Sequence, residues 1–242
     1  MATFPDVILF DLDGTLCEYE RPSDTVLAAT FEQLGVDPLF DMQAFHGRYT
    51  EFLREAETGE ELYEQCFTAL ATDAGYDVEF GHQLTATFLR ERDVTAVVPC
   101  HGAHEVIQAL DGRTLTGLVT NGHPDLQRRK LEAIEMDDVF DAEIYAGYDC
   151  PAKPAPDAFE RILIELDVEP SDAVYVGNSP THDVAGAHNA GLRSVLITNG
   201  KAVGSERPTV RCSSLIELLT IEWEERKSEL SRGDTGEPGS AR

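Results

Sequence analysis

The hydrophobic pattern opens on Val7-Ile8-Leu9-Phe10, a continuous apolar run that stops at Asp11. Four successive strand formers without alternation predict a strand buried on both faces, as in a parallel sheet. Further short strands are predicted at Leu115 to Thr120, Ala142 to Ala146, Ala173 to Val176 and Ser194 to Thr198. Helical spacing separates them, over about Gly102 to Leu110, Pro124 through Ile134, Asp157 to Leu166 and about Asp183 to Ala190. Strands alternating with helices predict an α/β fold with a doubly wound, mainly parallel Rossmann-like sheet. Val97-Val98-Pro99 marks where the alternation resumes, and Ser214 with Glu217 forms a capping-box pattern that opens a last helix.

Between the first strand and Val97 the pattern is different. After a short polar loop at 18–22, helical spacing holds from Ser23 to about Arg92, with breaks at Gly35, Gly59 and Gly75-Tyr76-Asp77. An all-helical insert of about 75 residues is too long for a connection between neighbouring strands, so it reads as a small helical cap domain. The expected organisation is a core from 1–17 and 96–226, a cap over 18–95 and a polar tail over 227–242.

Composition narrows the functional classes. The 242 residues carry 45 acidic and 19 basic side chains, a net charge of -26. Such a surface repels nucleic acid and anionic membranes, which are bound through Lys and Arg. No apolar run is long enough to span a bilayer and no signal-like amino terminus is present, so a cytoplasmic protein is expected. Five scattered cysteines without a CxxC pair suggest buried thiols rather than a disulfide framework or zinc site. Only Lys130, Lys153, Lys201 and Lys227 accompany fifteen arginines, a balance suited to a high-salt interior, where the Debye length is roughly 3 Å at 1 M. The melting midpoint is therefore expected to rise from low to molar KCl; a midpoint independent of salt contradicts this.

In a doubly wound sheet the carboxyl ends of the strands face one crevice. Asp11 and Asp13, Thr120 and Asn121, Lys153 on a proline-stiffened loop, and Asn178 with Asp183 all fall at such ends. The set combines carboxylates for a cation and for nucleophilic attack with an ammonium and a hydroxyl able to neutralise a phosphoryl group, and Mg²⁺ favours such oxygen ligands.

These residues lie in FDLDGTL (Phe10 to Leu16), VTNG (Val119 to Gly122), AKPAPDAF (Ala152 to Phe159) and VGNSPTHDVAGA (Val176 to Ala187). In order and spacing the chain resembles the haloacid dehalogenase-like hydrolase superfamily, in the subgroup with a helical cap inserted after the first motif. The resemblance implies a Mg²⁺-dependent phosphatase for a small phosphorylated metabolite. It casts Asp11 as the nucleophile that becomes an aspartyl phosphate, and Asp13 as general acid and base. Thr120, the Asn121 N–H and Lys153 would hold the phosphoryl oxygens. The metal would sit on Asp11, the Asp13 carbonyl and the last motif. Family phosphatases commonly have Gly-Asp where this chain has Gly177-Asn178, so Asn178, Asp183, or one of them through water, is the expected ligand.

Two other functions compete. A 2-haloacid dehalogenase shares Asn in the last motif but normally lacks the second acid of the first, so Asp13 favours the phosphatase. A non-catalytic binding protein of the same fold has only Asn178 in its support. His123 and His182 match no family motif position. Gln127, Arg128, Lys130 and Leu131 read as a helix with largely solvated charges, and Arg21, Arg48 and Arg54 as paired surface charges sooner than substrate contacts. The pattern carries no signal for an oligomeric state.

Overall fold

The computed structural model describes residues 4–200 and 207–223. Along the chain the elements are β1 (Val7–Phe10), β2 (Cys17–Tyr19), α1 (Ser23–Leu34), α2 (Met42–Phe52), α3 (Gly59–Asp73), α4 (Val78–Glu91), β3 (Val97–Pro99) and α5 (Ala103–Leu110). There follow β4 (Leu115–Asn121), α6 (Pro124–Ala133), β5 (Ala142–Ala146), α7 (Asp157–Leu166), β6 (Ala173–Gly177), α8 (Ala185–Asn189), β7 (Arg193–Ile197) and β8 (Val210–Cys212).

Six strands form one sheet in the order β5-β4-β1-β6-β7-β8, every neighbouring pair parallel. β1 lies inside it, and its period-two alternation divides its side chains between two cores. Ile8 and Phe10 pack with Val106 and Leu110 of α5 and Leu131 of α6. Val7 and Leu9 pack on the other face with Phe159 and Ile162 of α7 and Ala187 of α8. All four β1 side chains are buried, which is why the run shows no polar alternation. Truncating one this deep costs about 3–5 kcal/mol for a Phe.

α1 to α4 build a third apolar core around Phe31, Phe45, Phe67 and Phe88, which Leu126 of α6 joins from the sheet side. Phe67 is central, with ring centroids 4.9 Å from Phe45 and 4.8 Å from Phe88. Each helix has a local start or stop signal. Asp41, Thr58 and Asp77 accept the N–H of Ala44, Glu61 and Phe80 at the openings of α2, α3 and α4, and Gly35, at φ 70°, ends α1.

The structure corrects several sequence expectations. Residues 18–22 are not all loop. Cys17–Tyr19 pairs antiparallel with Val97–Pro99 in a two-stranded ribbon outside the main sheet, where the chain leaves for the helical insert and returns. Three-residue strands carry too little periodicity to be seen, and this pairing joins segments some eighty residues apart in sequence. β8 was missed for the same reason of length. The helix expected from Asp183 begins instead as a π-helical turn, Pro180–Val184, with α8 following as five residues. The last expected helix is a 3₁₀ segment, Leu215–Thr220. Ser214 makes no capping bond there, and Glu217 instead accepts the Ser213 N–H at 3.1 Å. The expected tail at 227–242 lies outside the described residues. All five cysteines are buried, and none is joined in a disulfide. No described helix is long and apolar enough to cross a membrane.

Candidate active site

Asp11 follows β1 directly, and its N–H donates to the Val176 carbonyl of β6 at 2.9 Å, which fixes the backbone where the crevice opens. Asp11 Oδ1 accepts from Lys153 Nζ at 2.8 Å and Oδ2 from Thr15 Oγ1 at 3.2 Å. Lys153 is positioned by Asn121, whose carboxamide accepts the Lys153 N–H at 2.9 Å and donates to its carbonyl at 3.2 Å. Four oxygens surround Nζ: those of Asp11, of Asp183 at 2.7 Å, of Tyr175 at 2.6 Å and of the Val119 carbonyl at 3.0 Å. The ammonium has only three protons, so it is saturated by buried partners.

Asp183 is equally occupied. Its Oδ1 takes Lys153 and Tyr175, and its Oδ2 takes the backbone N–H groups of Asn178 at 3.0 Å and Ser179 at 2.8 Å. Lys153 and the two N–H groups are full donors, and the single Tyr175 proton is divided between Asp183 and the nearer Val119 carbonyl at 2.7 Å, so polar groups face the carboxylate on every side. Asp183 therefore buttresses Lys153 and the loop after β6, and a cation could reach it only by displacing a donor. Gly177 permits this arrangement, because a Cβ there would lie 2.5 Å from the Asp183 carboxyl carbon.

Asp13 lies on the other side of the crevice. Its two oxygens accept from Lys130 Nζ at 2.7 and 2.8 Å, and Oδ2 also from Gln127 Nε2 at 2.9 Å. Gln127 Nε2 is 2.7 Å from Thr120 Oγ1 as well, linking the first and second motifs. This corrects the reading of the charges on this helix as largely solvated: Lys130 is buried at 6% exposure, beside Gln127 at 2%. A signal was present, since Gln127, Lys130, Leu131 and Ile134 stand at i, i+3, i+4 and i+7, the inward stripe of α6.

The two acids differ in proton affinity. Burial and the neighbouring Asp183 push Asp11 up to about 7 against the pull of Lys153. Burial pushes Asp13 up too, but the Lys130 ammonium and the Gln127 amide overcome it and hold Asp13 below the usual carboxylate range. Lys130 and Lys153 are both raised, because their carboxylate partners outweigh burial. Both lysines of the described residues are thus consumed inside the site, leaving no lysine on the described surface to offset the acid. Lys130→Met frees Asp13 from its cation, and a carboxylate losing such a partner rises by about 1–3 pH units. At saturating Mg²⁺, where a cation on the Asp11 carboxylate would favour its ionised form and so lower its own contribution, the acidic limb of the kcat profile for p-nitrophenyl phosphate is expected to move up accordingly, since the step requiring ionised Asp13 becomes limiting at higher pH. An unmoved limb contradicts the assignment of Asp13 as base.

Asp11, Asp13, Thr120, Asn121, Lys153, Asn178 and Asp183 all line one cavity of about 480 Å³, roofed by side chains of the helical insert. A larger concavity of about 1050 Å³ lies around Asp6, Arg113, Thr114 and Asp141, at the amino edge of the sheet, and contains none of the motif residues. Of the residues singled out beside the motifs, Arg21 pairs with Glu91 at 2.9 Å, and Arg48 with Asp73 and with Glu51 at 2.7 Å. Arg21, Arg48 and Arg54 do not line the cavity. His123 is a joint between α6 and the insert, its N–H donating to Tyr49 Oη at 3.2 Å and its Nε2 lying 3.3 Å from the Ala56 carbonyl. His182 lines the cavity and sits 3.1 Å from Ser179 Oγ.

The donors left over suit a hard cation with a water-rich shell. Asp11 Oδ2 takes only the long bond from Thr15, and neither the Asp13 carbonyl nor the Asn178 carboxamide has a hydrogen bond from the described residues. The Asn178 side chain packs on Gly14, where φ is +81° and a Cβ would come within 2.1 Å of Nδ2. Among the described residues no three His, Cys, Asp or Glu side chains are grouped to hold a metal, so a cage of protein carboxylates is not what is built here.

Comparison with known proteins assigns the family. A family model described as haloacid dehalogenase-like hydrolase matches residues 5–191. The chain belongs to that hydrolase family. It is 27% identical over 206 residues to a glyceraldehyde 3-phosphate phosphatase of Pyrococcus furiosus, covering 81% of each chain. A ribulose-1,5-bisphosphate 5-phosphatase of Halopiger xanaduensis is 31% identical over 212 residues, covering 81% of this chain and 84% of that one. Among solved structures, a 2-haloacid dehalogenase from Pseudomonas syringae superposes with a TM-score of 0.64 at 25% identity, covering 91% of this chain and 97% of that one.

Proposed function

We propose that this hydrolase is a phosphatase that cleaves a small phosphorylated metabolite through an aspartyl phosphate on Asp11, with Mg²⁺ as its cofactor. The observation that carries the reading is Asp13, a carboxylate held within reach of the same cavity as Asp11 by Lys130 and Gln127. Displacing halide from carbon needs no proton donor for its leaving group, whereas expelling an alkoxide from phosphorus does. Relatives named as phosphatases support the same choice.

In the first step the Asp11 carboxylate attacks phosphorus, the ester P–O bond breaks, and the departing oxygen takes a proton from Asp13. In the second, Asp13 takes a proton from water, the water oxygen attacks phosphorus, and the P–O bond to Asp11 breaks to release phosphate. Lys130 keeps Asp13 ionised in the substrate-free chain. An arriving phosphoryl group reverses this in two ways, competing for the Lys130 N–H donors and raising Asp13 by like-charge repulsion. Thr120, whose Oγ1 accepts from Gln127 and keeps its own O–H to donate, orients a phosphoryl oxygen, while Lys153 supplies positive charge nearby and fixes the direction of Asp11. Asp11, the Asp13 carbonyl and Asn178 would hold Mg²⁺, which when bound supplies positive charge against the phosphate. Asp183 would act through Lys153 and the loop rather than as a direct ligand. The insert, α1 to α4, is a cap whose motion admits substrate and excludes water.

The test is hydrolysis of p-nitrophenyl phosphate in molar KCl across a Mg²⁺ titration. Turnover is expected only with Mg²⁺, and Asn178→Asp, which adds a charge to a weak donor set, is expected to lower the half-saturating Mg²⁺ by about tenfold. Turnover indifferent to Mg²⁺ contradicts the proposed cofactor. Release of halide from a 2-haloacid without phosphatase activity would establish the dehalogenase instead.

A further inference from the structure

Arg92 closes α4, and it is the cation in this region whose charge the fold leaves unanswered. It is 4% exposed and lines the active-site cavity, yet it forms no ion pair with a carboxylate among the described residues. Its neighbours are paired: Arg21 with Glu91, Lys130 with Asp13, Lys153 with Asp11 and Asp183. Among the described residues Arg92 has only a bond from Nη1 to the Arg21 carbonyl at 3.2 Å and the faces of Tyr19 and Phe88, with Cζ 4.1 and 5.8 Å from the ring centroids. A guanidinium has five donors, so most of its hydrogen-bonding capacity is unused by the protein. Desolvating a charge without an opposite partner is costly, and in a chain with 45 acidic residues a carboxylate partner is the easiest thing to supply.

The position is informative as well. Lys130 Nζ lies 5.0 Å from the centroid of the same Tyr19 ring, so Arg92 stands on the wall adjoining the Asp13–Lys130 pair. The insert side of the cavity is otherwise largely aromatic and aliphatic, with Met42, Phe45, Tyr49, Tyr63 and Phe88. A ligand anchored by its phosphoryl group at Asp11 would meet one fixed, multidentate cation beyond it.

We propose that Arg92 is a second anion-binding position, and that the natural substrate is a phosphate ester carrying a further acidic group, a carboxylate or a second phosphate. The assignment rests on the phosphatase reading above and narrows its substrate class. Planar guanidinium donors match either anion bidentately. The strongly acidic surface repels such a substrate at low salt, so its affinity must come from inside the cavity.

The test compares kcat/KM within matched pairs in molar KCl with Mg²⁺. One pair is 6-phosphogluconate against sorbitol 6-phosphate, for a carboxylate; the other is fructose 1,6-bisphosphate against fructose 6-phosphate, for a phosphate. Wild type is expected to favour the acidic member of at least one pair by tenfold or more, and the favoured pair identifies the anion. Arg92→Met is expected to collapse that ratio toward one, chiefly through KM, and Arg92→Lys to restore part of it. A residue that merely props the joint between the ribbon and α4 would lower both members equally and leave the ratio intact, which overturns the proposal. If Arg92→Met does not fold, the wild-type and Arg92→Lys ratios decide it. Hydrolysis of both members without preference in wild type overturns this inference alone, whereas hydrolysis of no ester overturns the phosphatase reading and this inference with it.

Discussion

Asp11→Asn is expected to lower kcat for any phosphate ester by at least about 10⁴-fold, with the chain still folded. The amide is nearly isosteric: its oxygen can still accept from Lys153 and its NH2, in the place of Oδ2, can donate to Thr15 Oγ1, but it is a poor nucleophile for phosphorus. It also removes one of two carboxylates crowded around Lys153, and burial together with Asp183 already disfavours the charge on Asp11. The variant should therefore melt close to wild type in the absence of Mg²⁺. Activity within tenfold of wild type, with stability unchanged, would mean that the nucleophile lies elsewhere.

Lys153→Met is expected to fail on both counts, losing turnover and about 3–5 kcal/mol of stability. The Lys153 side chain is 2% exposed and is the one cation shared by Asp11 and Asp183. Removing it leaves two carboxylates and the Tyr175 hydroxyl facing one another in a dry site, and takes from Asp11, already raised by burial, the cation that favours its charge. Lys153→Arg should recover little, because a planar fork cannot reach four oxygens arranged around a single ammonium. Urea titrations in molar KCl measure the loss. A variant as stable as wild type would show that the two buried carboxylates do not need Lys153 as their shared partner.

The architecture was legible where burial dictates composition. Val7 to Phe10 must be apolar on both faces because they stand between β4 and β6 with a core on each side, and that requirement appears directly as an unbroken hydrophobic run. The convergence of Asp11, Thr120, Lys153 and Asp183 followed from one rule, that strand ends in such a sheet share an edge. What escaped depends on contacts between distant segments. The ribbon of Cys17–Tyr19 with Val97–Pro99 is three residues wide and visible only once the insert has folded back. Lys130 looked like any helix-surface lysine, yet its stripe on α6 points it at Asp13, a partner 117 positions earlier. Asp183 shows the finer limit. Spacing places it in the last motif, but only the turn made possible by Gly177 directs the Asn178 and Ser179 N–H groups onto its second oxygen. Arg92 passed unnoticed because nothing in the order of residues distinguishes an arginine that has a carboxylate from one that does not.

The central claim is that Asp11 carries the phosphoryl group between two half-reactions. Acid quenching of wild-type protein during turnover of a ³²P-labelled phosphate ester, in molar KCl with Mg²⁺, measures it directly. Label is expected to remain on the denatured chain, to be released by hydroxylamine as an acyl phosphate is, and to be absent from Asp11→Asn. Steady turnover with no label trapped at any time, or equal labelling of Asp11→Asn, contradicts it.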